Sequence, residues 1–472
     1  MKPPHPHDPD ATRLRLRISS PQDAIGTPVV RVSELLGALS FALDLTEGQP
    51  FGHALRTCLI GMRIAERLEL PIQERRDLYF GSLLKDVGCS SSAARVYELF
   101  AGDDLSRLDW NNYSKAAQYA GAQAEPGSSW FERARRIVAL AKVGSKAAVE
   151  LVEARCRRSA AIVEELGFGR GAAAVVASLE EQWDGRGQPH GLKGSQIPLT
   201  ARILGFAQSL DAFAALDGAR SAIAMALQRR GKSFDPNLVD ASEELGGDID
   251  HWCALNDVAL QHAVREAEPG DASLLVTPAA MDRILRGFAH VVDVKSPYTA
   301  QHSARVAAIS VGVASALGFE GEGLGEIRRA ALLHDIGKLS VPNSILDKPG
   351  PLSAHEWEVM RLHPYYTQRI LERISGFETL AFVASSHHER LDGRGYYRGL
   401  RDQEIPRQAR VLVVSDIYEA LTTDRPYRPG MKPATALALM ERDRNVGLAG
   451  DCLDALAYAI ENSTIEEQQR AA

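Results

Sequence analysis

Cysteine is scarce in this chain: Cys58, Cys89, Cys156, Cys253 and Cys452 are scattered through 472 residues with no Cys-x-x-Cys spacing. That argues against a disulfide framework or a thiolate zinc knot, and it fits a reducing cytoplasm. No apolar run approaches the ~18 residues that a membrane span requires, so no transmembrane helix is expected. Basic residues are not in excess, with 54 Lys and Arg against 61 Asp and Glu and a net charge of -7, which removes the global reason to expect a nucleic-acid polymer as partner. The first residues carry Pro3, Pro4, His5, Pro6, His7 and Pro9 instead of an apolar signal region, and 1–26 reads as a disordered tail. What remains is 45% apolar and 24% charged, the balance of an ordinary globular protein.

The length suggests more than one domain, and the chain repeats itself. His53-x-x-Arg56 and Leu83-Leu84-Lys85-Asp86-Val87-Gly88 recur as His302-x-x-Arg305 and Leu332-Leu333-His334-Asp335-Ile336-Gly337, with one offset, 302 − 53 = 335 − 86 = 249. Further on, Glu181, Asp184-Gly185-Arg186-Gly187 and Ile197-Pro198 recur as Glu389, Asp392-Gly393-Arg394-Gly395 and Ile405-Pro406, at 392 − 184 = 208. The change of offset gives the first copy 41 extra residues, 249 − 208, placed near 90–146. The expected division is a first copy over 27–262, a linker over 263–277 around the stretch Glu266 to Pro278, and a second copy over 278–472.

Periodicity predicts an almost wholly helical chain. His302, Val306, Ile309, Val313 and Leu317 recur at helical spacing as one buried stripe. A second helix is expected from about Gly325 to His334, broken by Gly337. Ser353 with Glu356 reads as a capping box, and Asp392 to Pro406 as a glycine-rich loop.

The second copy gathers imidazoles and carboxylates: His302, His334, Asp335, His363, His387, His388 and Asp416. Such groups are the usual ligands of divalent cations, and two cations about 3.5–4 Å apart lower the pKa of water from about 15.7 towards 7 and clamp a phosphoryl group. Asp335 is the natural bridge, because a carboxylate can give one oxygen to each ion. We assign His302, His334, Asp335 and Asp416 to one metal, and His363, His387 and His388 with the shared Asp335 to the other. With no cysteine near them, iron or manganese suits the set at least as well as zinc. Lys338, one turn past His334, is placed to neutralise a phosphate oxygen. Taken singly, each has a plainer reading: His302 as a core histidine, His387 and His388 as a surface pair, Asp416 as a capping residue. The first copy argues for the set, because it keeps only His53 and Asp86; Lys85, Leu179, Glu180 and Gln208 stand at the places of His334, His387, His388 and Asp416, and that of His363 falls near Arg155.

Residues 298–428 resemble the HD-GYP family of HD metal-dependent phosphohydrolases. The resemblance rests on His302-Ser303-Ala304-Arg305, Leu333-His334-Asp335-Ile336-Gly337-Lys338, His387-His388-Glu389-Arg390, Asp392-Gly393-Arg394-Gly395-Tyr396, and Thr422-Thr423-Asp424-Arg425-Pro426-Tyr427-Arg428. It implies an all-α fold of tandem HD-type helical domains, the first degenerate and the second metal-binding. It implies hydrolysis of cyclic di-GMP to pGpG or GMP with two divalent metal ions, and substrate contacts from Lys338, Arg394, Tyr396, Arg425 and Arg428. Three positions depart from the family: Tyr397 replaces the proline of Gly-Tyr-Pro, Tyr298 stands where a trimetal variant has glutamate, and Glu419 stands where aspartate is usual. The competing functions are hydrolysis of another nucleotide, discriminated by a substrate panel, and a cyclic di-GMP-binding scaffold without turnover. For the first copy, packing or homodimerisation stands against binding of a ligand or regulatory protein.

Overall fold

The computed structural model describes residues 30–89, 149–270, 276–296, 301–348, 350–424 and 429–462. The expected tail, the inserted segment near 90–146, Tyr298, Arg425 and Arg428 lie outside the described residues. Among the described residues every regular element is helical, and extended pairing is limited to isolated bridges such as Asp392 with Arg401. The all-α expectation holds. No described helix is long and apolar enough to cross a membrane.

The duplication is visible element by element. In the first copy, helices Val32–Thr46, His53–Arg67 and Ile72–Leu83 run in the order of Pro278–Asp293, His302–Ala316 and Glu322–Leu333 in the second. The helices at His53 and His302 each follow a residue in the left-handed region, Gly52 at φ 79° and Gln301 at φ 59°. That shared turn sets both histidines at the first position of a buried helix. Val306, Ile309 and Val313 form the predicted stripe, and they anchor the His302–Ala316 helix against helices Arg407–Thr422 and Gly450–Glu461. The next helix starts at Glu322, three residues before the expected Gly325, and passes after Leu333 into the 3-10 turn Ile336–Ser340. Ser353 and Glu356 make the predicted capping box.

Gly337 shows why this motif needs glycine. Its N–H donates to Thr367 Oγ1 at 3.1 Å, and a Cβ there would overlap the His363 carbonyl oxygen. Gly88 does the same in the first copy, donating to Ser159 Oγ at 3.1 Å beside Arg155. Arg155 is therefore the counterpart of His363, and the extra residues of the first copy fall between Gly88 and Arg155.

The copies share one core. A continuous apolar cluster runs from Leu35 and Leu39 through Phe206 and Phe288 to Ala384 and Leu412. Each copy's first helix also touches the other copy. Phe41 lies under the Arg373 guanidinium of the second copy, 3.5 Å from ring centroid to Cζ, while Gly287 packs closely on Leu166 of the first and Arg283 donates to the Leu166 carbonyl at 3.3 Å. Thr46 Oγ1 donates to the Leu339 carbonyl at 3.1 Å, and Lys295 Nζ to the same oxygen at 2.8 Å. The turn that carries Lys338 is thus held from both copies.

Candidate metal centre

Five helices deliver the seven side chains. His302 opens the His302–Ala316 helix, His334 and Asp335 follow Leu333, His363 opens His363–Leu371, His387 and His388 follow Ala384, and Asp416 lies within Arg407–Thr422. All converge on one buried point.

Asp335 stands between two groups of imidazoles. Its Oδ2 is 3.4 Å from His302 Nε2 and 3.3 Å from His334 Nε2; its Oδ1 is 3.6 Å from both His363 Nε2 and His387 Nε2. Asp416 Oδ1 adds to the first group, 3.4 Å from His302 Nε2 and 3.8 Å from His334 Nε2. His388 adds to the second, with His363, His387 and His388 presenting ligand atoms within 4.8 Å of one another. Lys338 Nζ lies 2.5 Å from Asp335 Oδ2.

The rings are aimed by their other nitrogens. His334, His363 and His387 each direct Nδ1 at the backbone oxygen three residues earlier, Ala331, Met360 and Ala384, at 2.7 Å in each case. A carbonyl only accepts, so each Nδ1 carries the proton and each Nε2 turns a lone pair inward. His302 directs Nδ1 at Glu419 Oε2, 2.6 Å away. Glu419 in turn takes Arg305 Nε at 2.7 Å and Thr423 Oγ1 at 2.9 Å. The hydrogen bond from His302 and the Arg305 charge outweigh burial and hold the Glu419 carboxyl at about 2. The sequence marked Glu419 as unusual without giving it a role.

Inward lone pairs crowd together. His302 and His334 Nε2 are 3.3 Å apart, and His363 and His387 Nε2 are 3.1 Å apart. Two nitrogens each about 2.0–2.1 Å from one ion, at right angles or wider, fall at about that separation. Asp335 Oδ1 is buried and has no hydrogen-bond partner, an expensive state for a carboxylate oxygen that a cation relieves. Burial lowers the pKa of His363 to about 3 and also pushes His387 and His388 down, so these rings stay neutral, the form that ligates, whereas at His302 and His334 the surrounding carboxylates outweigh burial and push the rings up, so that a cation bound there would take the place of a proton. The residues fit a pair of divalent ions.

On the outer side, the Tyr396 ring stacks on His388 at 4.5 Å between centroids. Arg361 Cζ lies 5.8 Å from the Tyr396 centroid and 5.6 Å from that of Trp357, which is exposed. Arg361 is exposed, and no carboxylate partner stands beside it among the described residues. Sequence reasoning missed it, although its spacing of one turn from Trp357 on a helix ending just before His363 was a signal. Arg394 is exposed, with its backbone N–H donating to Asp392 at 3.0 Å, and no contact joins its side chain to the histidine cluster among the described residues.

Glu389 closes the loop by accepting the N–H of Arg398 at 2.8 Å and of Leu400 at 2.9 Å, as Glu181 does for His190 and Leu192. Tyr397 within it has φ of 97°, which proline, fixed near about −65°, cannot adopt. Its hydroxyl donates to Gln368 at 3.0 Å. Replacing the family proline has therefore changed the local backbone.

In the first copy the corresponding place is filled by protein cations. Lys85 pairs with Asp86 and Arg155 with Glu180, both buried or nearly so. His53 Nδ1 and Arg56 keep their carboxylate, Asp211, at 2.7 and 2.6 Å, the counterpart of Glu419.

Tandem helical copies around an HD motif, with a histidine and aspartate cluster in the second, define a class. The HD domain family model matches residues 135–238 and 287–448, and the chain belongs to the HD-GYP family of HD-domain phosphodiesterases. Among its relatives is the 3'3'-cGAMP-specific phosphodiesterase 3 of Vibrio cholerae, 41% identical over 91% of this chain and 94% of that protein. A cyclic di-GMP phosphodiesterase of Pseudomonas aeruginosa is 37% identical over 38% of this chain and 42% of its own length. The crystal structure of the cyclic GMP-AMP-specific phosphodiesterase V-cGAP3 of V. cholerae superposes with a TM-score of 0.65 at 37% identity, over 92% of this chain and 98% of that one.

Proposed function

We propose that the second copy, 278–472, hydrolyses a phosphodiester bond of a cyclic dinucleotide, yielding a linear dinucleotide or mononucleotides. The observation that carries this is Asp335, buried between two groups of inward-facing Nε2 atoms with one oxygen unsatisfied. His302, His334, Asp335 and Asp416 would hold one divalent ion, and His363, His387, His388 and Asp335 the other, with iron or manganese suited to this nitrogen and oxygen set. When bound, such ions supply Lewis acidity to the phosphoryl group and lower the pKa of water.

The chain's own groups then orient the substrate. Lys338 Nζ, held at Asp335, offers positive charge to a non-bridging phosphate oxygen. Tyr396 presents a ring face beside His388, and Arg361 with Trp357 extends that face outward. Arg425 and Arg428 remain proposed phosphate contacts. Two substrates share this chemistry, cyclic di-GMP and 3'3'-cGAMP. The relative that matches along both copies supports 3'3'-cGAMP, whereas the cyclic di-GMP enzymes match about a third of the chain.

The test is anaerobic incubation of the full chain, loaded separately with iron(II) and manganese(II), with each dinucleotide, products being resolved by chromatography. Linear dinucleotide or mononucleotide is expected from at least one, and none from Asp335→Ala. Product from Asp335→Ala at the wild-type rate, or none from the metal-loaded wild type, would sink the proposal.

A further inference from the structure

The first copy is hollow where the second is filled. In the second copy the Arg390 guanidinium donates to Asp443 at 2.6 and 3.0 Å and to Asp392 at 3.0 and 3.2 Å. Gly447 is required beside it, because a Cβ there would overlap the guanidinium. The first copy builds the same turn. Gly231 N–H donates to the Phe234 carbonyl and Phe234 N–H to that of Arg229, as Asn445 does to Leu448 and Leu448 to Asp443. Arg229 therefore occupies the place of Asp443, Ser233 that of Gly447, and Gln182, by the 208 offset, that of Arg390.

Each member of the ion pair has been exchanged. The filling arginine is now a glutamine, the glycine a serine whose hydroxyl donates to Gln182 Oε1 at 3.3 Å, and the anchoring aspartate an arginine. A cavity of about 280 Å³ is left, walled by Trp183, Phe206 and Phe234 and reaching Glu180 and Gln208, which stand where the second copy has His388 and Asp416. The acids around it are engaged: Glu180 by Arg155, Asp235 by Arg202, Glu181 by two backbone N–H groups. Arg229 has no carboxylate partner among the described residues; its guanidinium lies over Phe213, 5.4 Å from the centroid. The uncompensated charge at this cavity is positive, opposite to that of the wall which Arg390 neutralises in the second copy.

We infer that this cavity is a binding site for a phosphate-bearing planar ring of nucleoside-monophosphate size. Arg229 would take the phosphate through its planar fork, and the half-buried Trp183 ring, backed by the buried pair Phe206 and Phe234, would meet the planar ring. The volume lies just below the ~300 Å³ lower end of ordinary small-molecule sites. It therefore suits one nucleotide. The copy without the histidine cluster has thus gained a place for the class of compound that hydrolysis of a dinucleotide releases.

The experiment is equilibrium dialysis of the full chain, freed of metal by chelator, against labelled GMP, with inorganic phosphate and unphosphorylated guanosine as competitors. Two variants accompany it: Arg229→Ala, at an exposed position that leaves the core intact, and Gln182→Arg/Arg229→Asp/Ser233→Gly, which rebuilds the ion pair of the second copy. Circular dichroism checks their fold. GMP is expected to bind the wild type, at least about tenfold more weakly to Arg229→Ala, and not at this site in the triple variant. Equal binding by all three would place GMP elsewhere and overturn the inference, as would no binding by the wild type. Competition by phosphate as strong as by GMP itself would overturn the ring component.

Discussion

Glu419 accepts the Nδ1 proton of His302 at 2.6 Å, and Asp211 repeats this toward His53 at 2.7 Å in a copy that has lost most of its cluster. In both copies an arginine one turn along, Arg305 or Arg56, braces the carboxylate. The contact outlives the cluster because it also closes a buried ion pair between two helices, which neither copy can lose cheaply.

Glu419→Gln keeps the shape and removes the charge, so the His302 ring loses its fixed tautomer and part of its basicity. Metal affinity should fall about 10–100-fold, the usual cost of losing such a partner. Manganese(II) titration of the metal-free protein measures it, and Glu419→Asp should recover part of the loss. An unchanged affinity would show that His302 needs no partner.

Arg361→Ala should raise KM for a cyclic dinucleotide about tenfold with kcat nearly unchanged, as expected of a group that binds substrate outside the reacting centre. Metal content, measured on the same preparation, should stay at the wild-type level. A fall in kcat with unchanged KM would instead make Arg361 part of the chemistry.

The cluster was legible in the sequence because histidines and aspartates at fixed places in long motifs survive in one copy and are replaced in the other. The helices were legible from the stripe His302, Val306, Ile309, Val313, and from the Ser353 and Glu356 cap. Glu419 was visible only as an oddity, since its meaning depends on a contact across 117 residues. The contacts of the first helices with the opposite copy were hidden for the same reason: nothing local in Phe41 or Gly287 announces a partner there. The turn containing Arg229 and Asp443 escaped notice because its offset differs again, 443 − 229 = 214, and only the hydrogen bonds align it.

Lys85 tests the replacement of metal by protein charge. Its ammonium is buried against the Asp86 carboxylate. Lys85→Met leaves Asp86 without a counter-charge and should destabilise the protein by about 3–5 kcal/mol, the cost of breaking a buried pair from one side. Lys85→Met/Asp86→Asn should recover much of it. Urea unfolding of the set measures both, and additive losses would show that the two residues do not act as a pair.

Asp44 gives the first copy a pH dependence of its own. It lies in the last turn of the Val32–Thr46 helix, fully buried, with Oδ1 taking the Ala54 N–H at 3.2 Å and Oδ2 without a partner. Burial, with the Asp86 charge adding to it and Lys85 opposing, pushes its pKa from 3.8 to about 8. Below the lower value both folded and unfolded chains carry the proton, and it contributes no slope. Between about 4 and 8 only the folded state keeps the proton, so its contribution to stability falls by up to about 1.4 kcal/mol for each pH unit gained. Above the upper value Asp44 ionises in place and the slope ends. Asp44→Asn, which cannot titrate, should therefore gain on the wild type as pH rises from 5 to 8. The measurement is the difference in urea midpoint between the two proteins across that range, and a difference that does not change with pH would show that Asp44 is already ionised in the folded chain.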